Sequence, residues 1–176
     1  IIYKYSREKF HKKCQHLFFS RSVYLEKINS GIIIDRIMDP IYMTSLINNK
    51  SLKIYLDNPS VKDNFFLEGF NYYPDNLFFK TKVDRKECIN LEKSCIKFLK
   101  SFVELYSLNN IEEFLIIELK KSIRSYLISK KKSKEYLKKF PSLKKIFIAS
   151  WYFPDMMGII ASAKQLDIST IEVQHG

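Results

Sequence analysis

The sequence predicts an α/β fold: a parallel β-sheet covered by helices, with further helices added to it. Three observations predict it. Residues 145–173 read as strand, helix, strand. Short apolar runs bounded by polar turns recur through the first half of the chain. At Arg85 the hydrophobic spacing then changes from strand-like to helical. The 176-residue length suits one domain spanning residues 1–176.

The elements follow in order. Leu17, Phe18 and Phe19 lead into Ser20, Arg21 and Ser22, a buried strand whose end carries polar groups. Ile32, Ile33 and Ile34 form a second short strand or hairpin arm. Asp39-Pro40 predicts a turn, because proline biases the residue before it away from helix. Residues 52–56 alternate towards Asp57-Asn58-Pro59-Ser60, a strand followed by a turn. The aromatic-rich stretch 64–79, with Gly69 and Pro74, predicts an irregular packed segment and a short strand at 77–80.

From Arg85 onward, Cys88, Leu91, Cys95, Leu99 and Phe102 recur at helical spacing, with Phe98 and Tyr106 beside them. Asn109-Asn110 breaks this helix, and Leu115, Leu119, Ile123 and Leu127 mark a second. Both stripes are expected to face the core. A basic run over 130–139 follows, and Pro141 closes the helical region. Residues 145–150 are a short apolar strand. Pro154 suits a first helical position, and Asp155 suits the positive end of the helix dipole. The expected buried face of this helix is Met156, Met157, Ile159, Ile160, Ala163 and Leu166. Gly158, Ala161 and Ser162 keep it slim, which predicts close approach to a sheet. Residues 169–173 form the closing strand. A strand–helix–strand unit of this length is parallel and right-handed.

Composition bounds the function. The chain is 46% hydrophobic with four Gly and five Pro, so it builds a core and is not a linker. No stretch of about 18 apolar residues occurs. It starts at Ile1 and stops at Gly176 directly after an apolar strand, which predicts flanking sequence missing at both ends. Three cysteines (Cys14, Cys88 and Cys95) without paired short spacings argue against a disulfide framework and for a reducing, cytoplasmic compartment. Cys88 and Cys95 lie roughly 10 Å apart on one helix face, too far to bridge, and are expected to be buried small hydrophobes. No Cys/His cluster has zinc spacing, and no Asp-x-Asp element is present, so no metal site is expected. The net charge of +11 favours anionic partners, although a Lys-, Ile- and Asn-rich composition also arises from A/T-rich codons.

In open parallel sheets ligands bind outside the carboxyl ends of the strands. That rule selects Ser20 and Arg21 after the first strand. It also selects Ser150 and Tyr152 after the strand at 145, and Gln174, His175 and Gly176 after the last. His175 is the candidate catalytic group, since an imidazole titrates near neutrality and can serve as general base towards a hydroxyl. Gly176 beside it lets a substrate approach the backbone. The others are candidate substrate-binding residues. The ordinary alternative for His175 is a structural histidine bonded to a loop; His11 and His16 fall in a basic region and are not candidates. The helix start at Pro154-Asp155 is a weak anion site, because the Asp155 carboxylate competes for its N–H groups. Neither GxGxxG nor GxxxxGK[ST] occurs, so the chain carries no recognisable nucleotide cradle.

The stretches 148–164 and 168–176, with Trp151-Tyr152-Phe153-Pro154 before the slim helix and Gln174-His175-Gly176 after the last strand, resemble bacterial surface-polysaccharide glycosyltransferases of the GT-B type. The Asp39-Pro40-Ile41 turn is similar to theirs. The likeness is good over about 30 residues and loose elsewhere. It implies a Rossmann-like domain, the N-terminal half of a GT-B fold with added helices. That half binds a glycan or lipid-linked acceptor. The nucleotide-sugar donor is held by a C-terminal domain not in this sequence, so no cofactor is expected in the fragment and it is expected to be inactive alone. Related polyol-phosphate transferases place a catalytic histidine in a similar His-Gly element, which corresponds to His175. The basic stretch 120–145 then suits an anionic membrane surface, with the protein peripheral at its inner face. Two other readings compete: a basic nucleic-acid-binding module, for which no motif is present and no specific nucleic acid is expected, and half of a nucleotide-sugar epimerase.

Overall fold

The computed structural model describes residues 12–28, 33–45, 50–56, 71–72 and 82–173. Its sheet has the order β5-β4-β1-β6-β7: β1 is His16–Ser20, β4 Ser51–Tyr55, β5 Asn71–Tyr72, β6 Lys145–Ala149 and β7 Ser169–Val173. Every pairing in it is parallel. Phe19 lies between Ile54 and Ile148, which fixes the register of the three central strands. The expected α/β parallel sheet is present, and its arrangement is compatible with a Rossmann-like domain. Strands β2 (Leu25–Lys27) and β3 (Ile33–Asp35) form a separate antiparallel pair, so residues 33–35 are a hairpin arm. The strand expected at 77–80 lies outside the described residues.

The central strands are apolar because both faces are covered. On one face Leu17, Phe19, Ile54, Ile146 and Ile148 pack with Met156 and Ile159. On the other, Phe18 packs with Met38, Tyr42, Ala149 and Val173 and stacks on Phe147 at 4.4 Å.

The helices α1 (Asp39–Ser45), α2 (Arg85–Leu105), α3 (Glu112–Leu137) and α4 (Pro154–Lys164) accompany the sheet among the described residues. Asp39-Pro40 does not form the expected turn; it begins α1. Proline is tolerated there because a first-turn N–H has no intrahelical acceptor to lose. The turn comes just before it, where the Asp35 carboxylate accepts from the N–H groups of Ile37 and Met38 at 3.1 and 3.0 Å. Asp39 in turn accepts from the Asp35 N–H at 2.7 Å and is ion-paired with Lys53 of β4. Lys53 is 3% exposed and lies near the Tyr42 and Tyr55 rings, at 5.2 and 5.4 Å. Nothing in the strand-like pattern of 52–56 announces this buried pair.

The core-facing expectation fails for α2. Asp84 caps the helix by accepting from the Lys86 and Glu87 N–H groups, but Val103 is its one buried residue. Phe98 is 76% exposed, Phe102 and Tyr106 are also exposed, and Cys88 and Cys95 are half-buried rather than buried. The helical period is correct, but among the described residues this stripe packs chiefly on one neighbouring helix, α3, in an antiparallel arm. In α3, Ile123 and Leu127 are buried as expected.

The slim face of α4 packs against α3, not against the sheet. A Cβ at Gly158 would lie 2.6 Å from the Lys130 nitrogen and from the Tyr126 carbonyl oxygen. Ser129 Oγ donates to the Asp155 carbonyl at 2.5 Å, and Ser162 Oγ donates to the Lys130 carbonyl at 2.5 Å. Hydroxyls and a glycine thus join the two backbones directly. Met157 faces outward, at 42% exposed, while Met156, Ile159 and Ala163 are buried as the pattern requires.

Candidate functional site at the carboxyl edge of the sheet

Strands β1, β4 and β6 end side by side, and their polar residues collect at one edge. Ser20 follows Phe19 out of β1 opposite Tyr55. Ser150 follows Ala149 out of β6 and takes a left-handed conformation, φ 56°. A non-glycine residue there costs roughly 1–2 kcal/mol, which the turn to α4 imposes through the Phe153 N–H donating to the Ser150 carbonyl at 3.2 Å. Ser20 and Ser150 are buried, and neither hydroxyl has a hydrogen-bond partner among the described residues; the same holds for Arg21 Nε. Buried polar groups are normally paired, so three unpaired donors at the ends of adjacent strands mark this edge as chemically unusual.

Arg21 closes the edge. Its guanidinium pairs with the Asp155 carboxylate and lies over the Phe153 ring at 4.2 Å. Asp155 also accepts from the Met156 N–H at 2.9 Å. The first turn of α4 is therefore occupied by its own carboxylate and is not a free anion site, as the sequence suggested. Trp151 and Tyr152 are exposed, and Tyr152 hydrogen-bonds Tyr24, which follows β1. Burial first, and then Tyr152, raises the Tyr24 phenol above its usual range.

Four of the residues selected from sequence, Ser20, Arg21, Ser150 and Tyr152, thus meet at one edge. Ser20 and Ser150 lie beneath the surface, Arg21 is partly covered and Tyr152 is open to solvent. Gln174, His175 and Gly176 lie outside the described residues. The strand before them, β7, pairs in parallel with β6 through Val173 opposite Ala149, as the closing strand–helix–strand required. Sequence reasoning missed Asp155 as the partner of Arg21. The pairing spans 134 positions, and no local pattern signals it. His16 sits at the opposite, amino edge, with Nδ1 3.3 Å from Ser51 Oγ.

A cleft of about 740 Å³ lies elsewhere, along the α2–α3 arm, lined by Lys82, Arg85, Lys120, Lys121 and Arg124, together with Val83, Cys88, Ile89 and Glu92. The carboxyl edge is favoured as the polar site, because its unpaired groups are buried at the ends of adjacent strands whereas those of the arm are solvated. Among the described residues no group of three or more His, Cys, Asp or Glu side chains could hold a metal ion, and no helix is long and apolar enough to cross a membrane. Compared with protein-family models, curated proteins and solved structures, the chain matches none.

Proposed function

We propose that the chain is the acceptor-side, Rossmann-like N-terminal half of a GT-B glycosyltransferase for bacterial surface polysaccharide. It works at the cytoplasmic face of the membrane on a glycan or lipid-linked acceptor. A second domain supplies the nucleotide-sugar. The observation that carries this reading is the parallel β6–α4–β7 unit beside β1, with Ser20, Arg21 and Ser150 at the carboxyl edge of these strands and Gln174-His175-Gly176 next in sequence after β7. Hydroxyl and guanidinium donors suit an oxygen-rich sugar, and Tyr152 and Trp151 offer apolar faces for its ring. His175 takes the proton from the acceptor hydroxyl as that oxygen bonds to the sugar's anomeric carbon and the bond from that carbon to the nucleotide's phosphate breaks, so that the nucleotide leaves with the electron pair.

The test is His175→Ala in the complete protein. Turnover is expected to fall about 100-fold or more with folding intact, as for loss of a general base. Unchanged turnover removes His175 from the chemistry, and absence of any sugar transfer by the intact complete protein removes the reading as a whole.

A further inference from the structure

We infer that the cleft between α2 and α3 binds a compact ligand carrying two or more phosphates. Lys82, Arg85, Lys120, Lys121 and Arg124 converge there against a single acid, Glu92. Lys121 is paired with Glu118, but Lys82, Arg85, Lys120 and Arg124 have no ion-pair partner among the described residues. Lys120 and Arg124 stand one helical turn apart, where like charges destabilise a helix by about 0.2–0.5 kcal/mol per pair. A bound polyanion reverses that repulsion. Val83, Cys88 and Ile89 supply an apolar wall, and the volume lies in the range of small-molecule sites.

The charge pattern of the arm decides between a compact ligand and an extended one. Beyond the cleft, residues 101–119 carry Glu104, Glu112, Glu113 and Glu118 and no Lys or Arg. A nucleic-acid backbone or a flat anionic bilayer laid from the cleft towards that end of the arm would meet those carboxylates. A small polyphosphate seated in the cleft does not.

The placement relative to the sheet is also informative. Ser129 of α3 is level with Asp155 at the carboxyl edge. Residues 120–124 therefore stand about 8–14 Å beyond that edge along the helix axis. A phosphate held there would overhang the side of the sheet where Ser20 and Ser150 collect. The cleft assignment itself rests on charge and shape, not on the glycosyltransferase reading, and its test requires no turnover.

The test is calorimetric titration of the purified protein with inorganic tripolyphosphate at physiological ionic strength. The expected result is saturable one-to-one binding with a Kd roughly in the micromolar range. The double variant Arg85→Glu, Arg124→Glu is expected to weaken it at least about tenfold. Lys138→Glu with Lys139→Glu makes the same change in net charge outside the cleft and is expected to weaken it less than about twofold. Circular dichroism verifies that both variants are folded. A second arm distinguishes the source of the phosphate, using phosphatidylcholine vesicles doped with a long-chain prenyl diphosphate. Co-sedimentation that tripolyphosphate displaces indicates a lipid-borne ligand. Tripolyphosphate binding without co-sedimentation indicates a soluble one, and either pattern supports the cleft. Binding that does not saturate, equal weakening by both double variants, or a preference for single-stranded RNA over tripolyphosphate overturns the inference.

Discussion

Gly158→Ala sets two effects of opposite sign against each other. In an isolated helix, alanine is more favourable than glycine by about 0.8–1.0 kcal/mol. At the α3–α4 contact, however, the new methyl group would stand 2.6 Å from the Lys130 nitrogen, 2.6 Å from the Tyr126 carbonyl oxygen and 2.7 Å from Ser129 Cβ. Real Cβ atoms essentially never approach closer than 3.0 Å and ordinary contact begins at 3.4 Å, so the helices must move apart here. Two of the three obstacles are backbone atoms, which no rotamer change can remove. Overpacking of this kind costs about 1–3 kcal/mol. Separation also stretches the Ser129 and Ser162 hydrogen bonds, both 2.5 Å long, and each contributes about 0.5–1.5 kcal/mol. The unfavourable contributions exceed the propensity gain, and a net loss of about 2 kcal/mol is expected. Urea unfolding followed by far-ultraviolet circular dichroism measures it. A variant stabilised by about 1 kcal/mol, as propensity alone dictates, would refute the close-contact reasoning.

Three further outcomes follow from groups already described. Lys53→Met leaves the Asp39 carboxylate buried without its cation and is expected to cost about 3–5 kcal/mol. Adding Asp39→Leu should restore part of that loss, and an equal or greater loss in the double variant argues against the pair. His16 is held below its ordinary value of 6.5 by burial first, then by Lys145, Lys144 and Lys50. The unfolded chain therefore binds a proton more readily than the native state. The His16 contribution to stability is complete above pH 6.5 and declines as pH falls through that value towards the lower native one. His16→Asn should flatten the acid side of the stability profile; an unchanged slope counts against this. Burial pushes the Cys14 thiol up to about 12, and burial and Glu92 raise the half-buried Cys88 as well, so at pH 8 an alkylating reagent should modify Cys95 fastest in the native protein, Cys88 more slowly, and spare Cys14. Peptide mass mapping reads the outcome, and equal labelling of all three cysteines contradicts it.

The parts of the fold legible from sequence are those whose signals are local. The β6–α4–β7 unit is the clearest case, because apolar strand, Pro154 at the helix start and small-residue helix all lie within one short stretch. Strand order was not legible. That β1 lies between β4 and β6 depends on pairings across long separations, such as Phe19 with Ile54 and Ile148. Periodicity located α2 and α3 but did not reveal what they face: spacing fixes a stripe, whereas burial depends on a neighbour that the sequence does not name. The same reason explains Gly158, whose small size was apparent although its partner was α3. At the carboxyl edge, the rule that ligands collect at strand ends found Ser20, Arg21, Ser150 and Tyr152. The Arg21–Asp155 pair and the buried Lys53–Asp39 pair are products of tertiary proximity.

The seam between α3 and α4 has a mechanical consequence. Side-chain interfaces absorb small displacements by rotamer adjustment, but here main chain meets main chain through two hydroxyls and a missing Cβ, so the contact has little slack. The same seam ties the arm to the sheet by short polar links: Ser129 holds the Asp155 carbonyl, and the Asp155 side chain pairs with Arg21 at the end of β1.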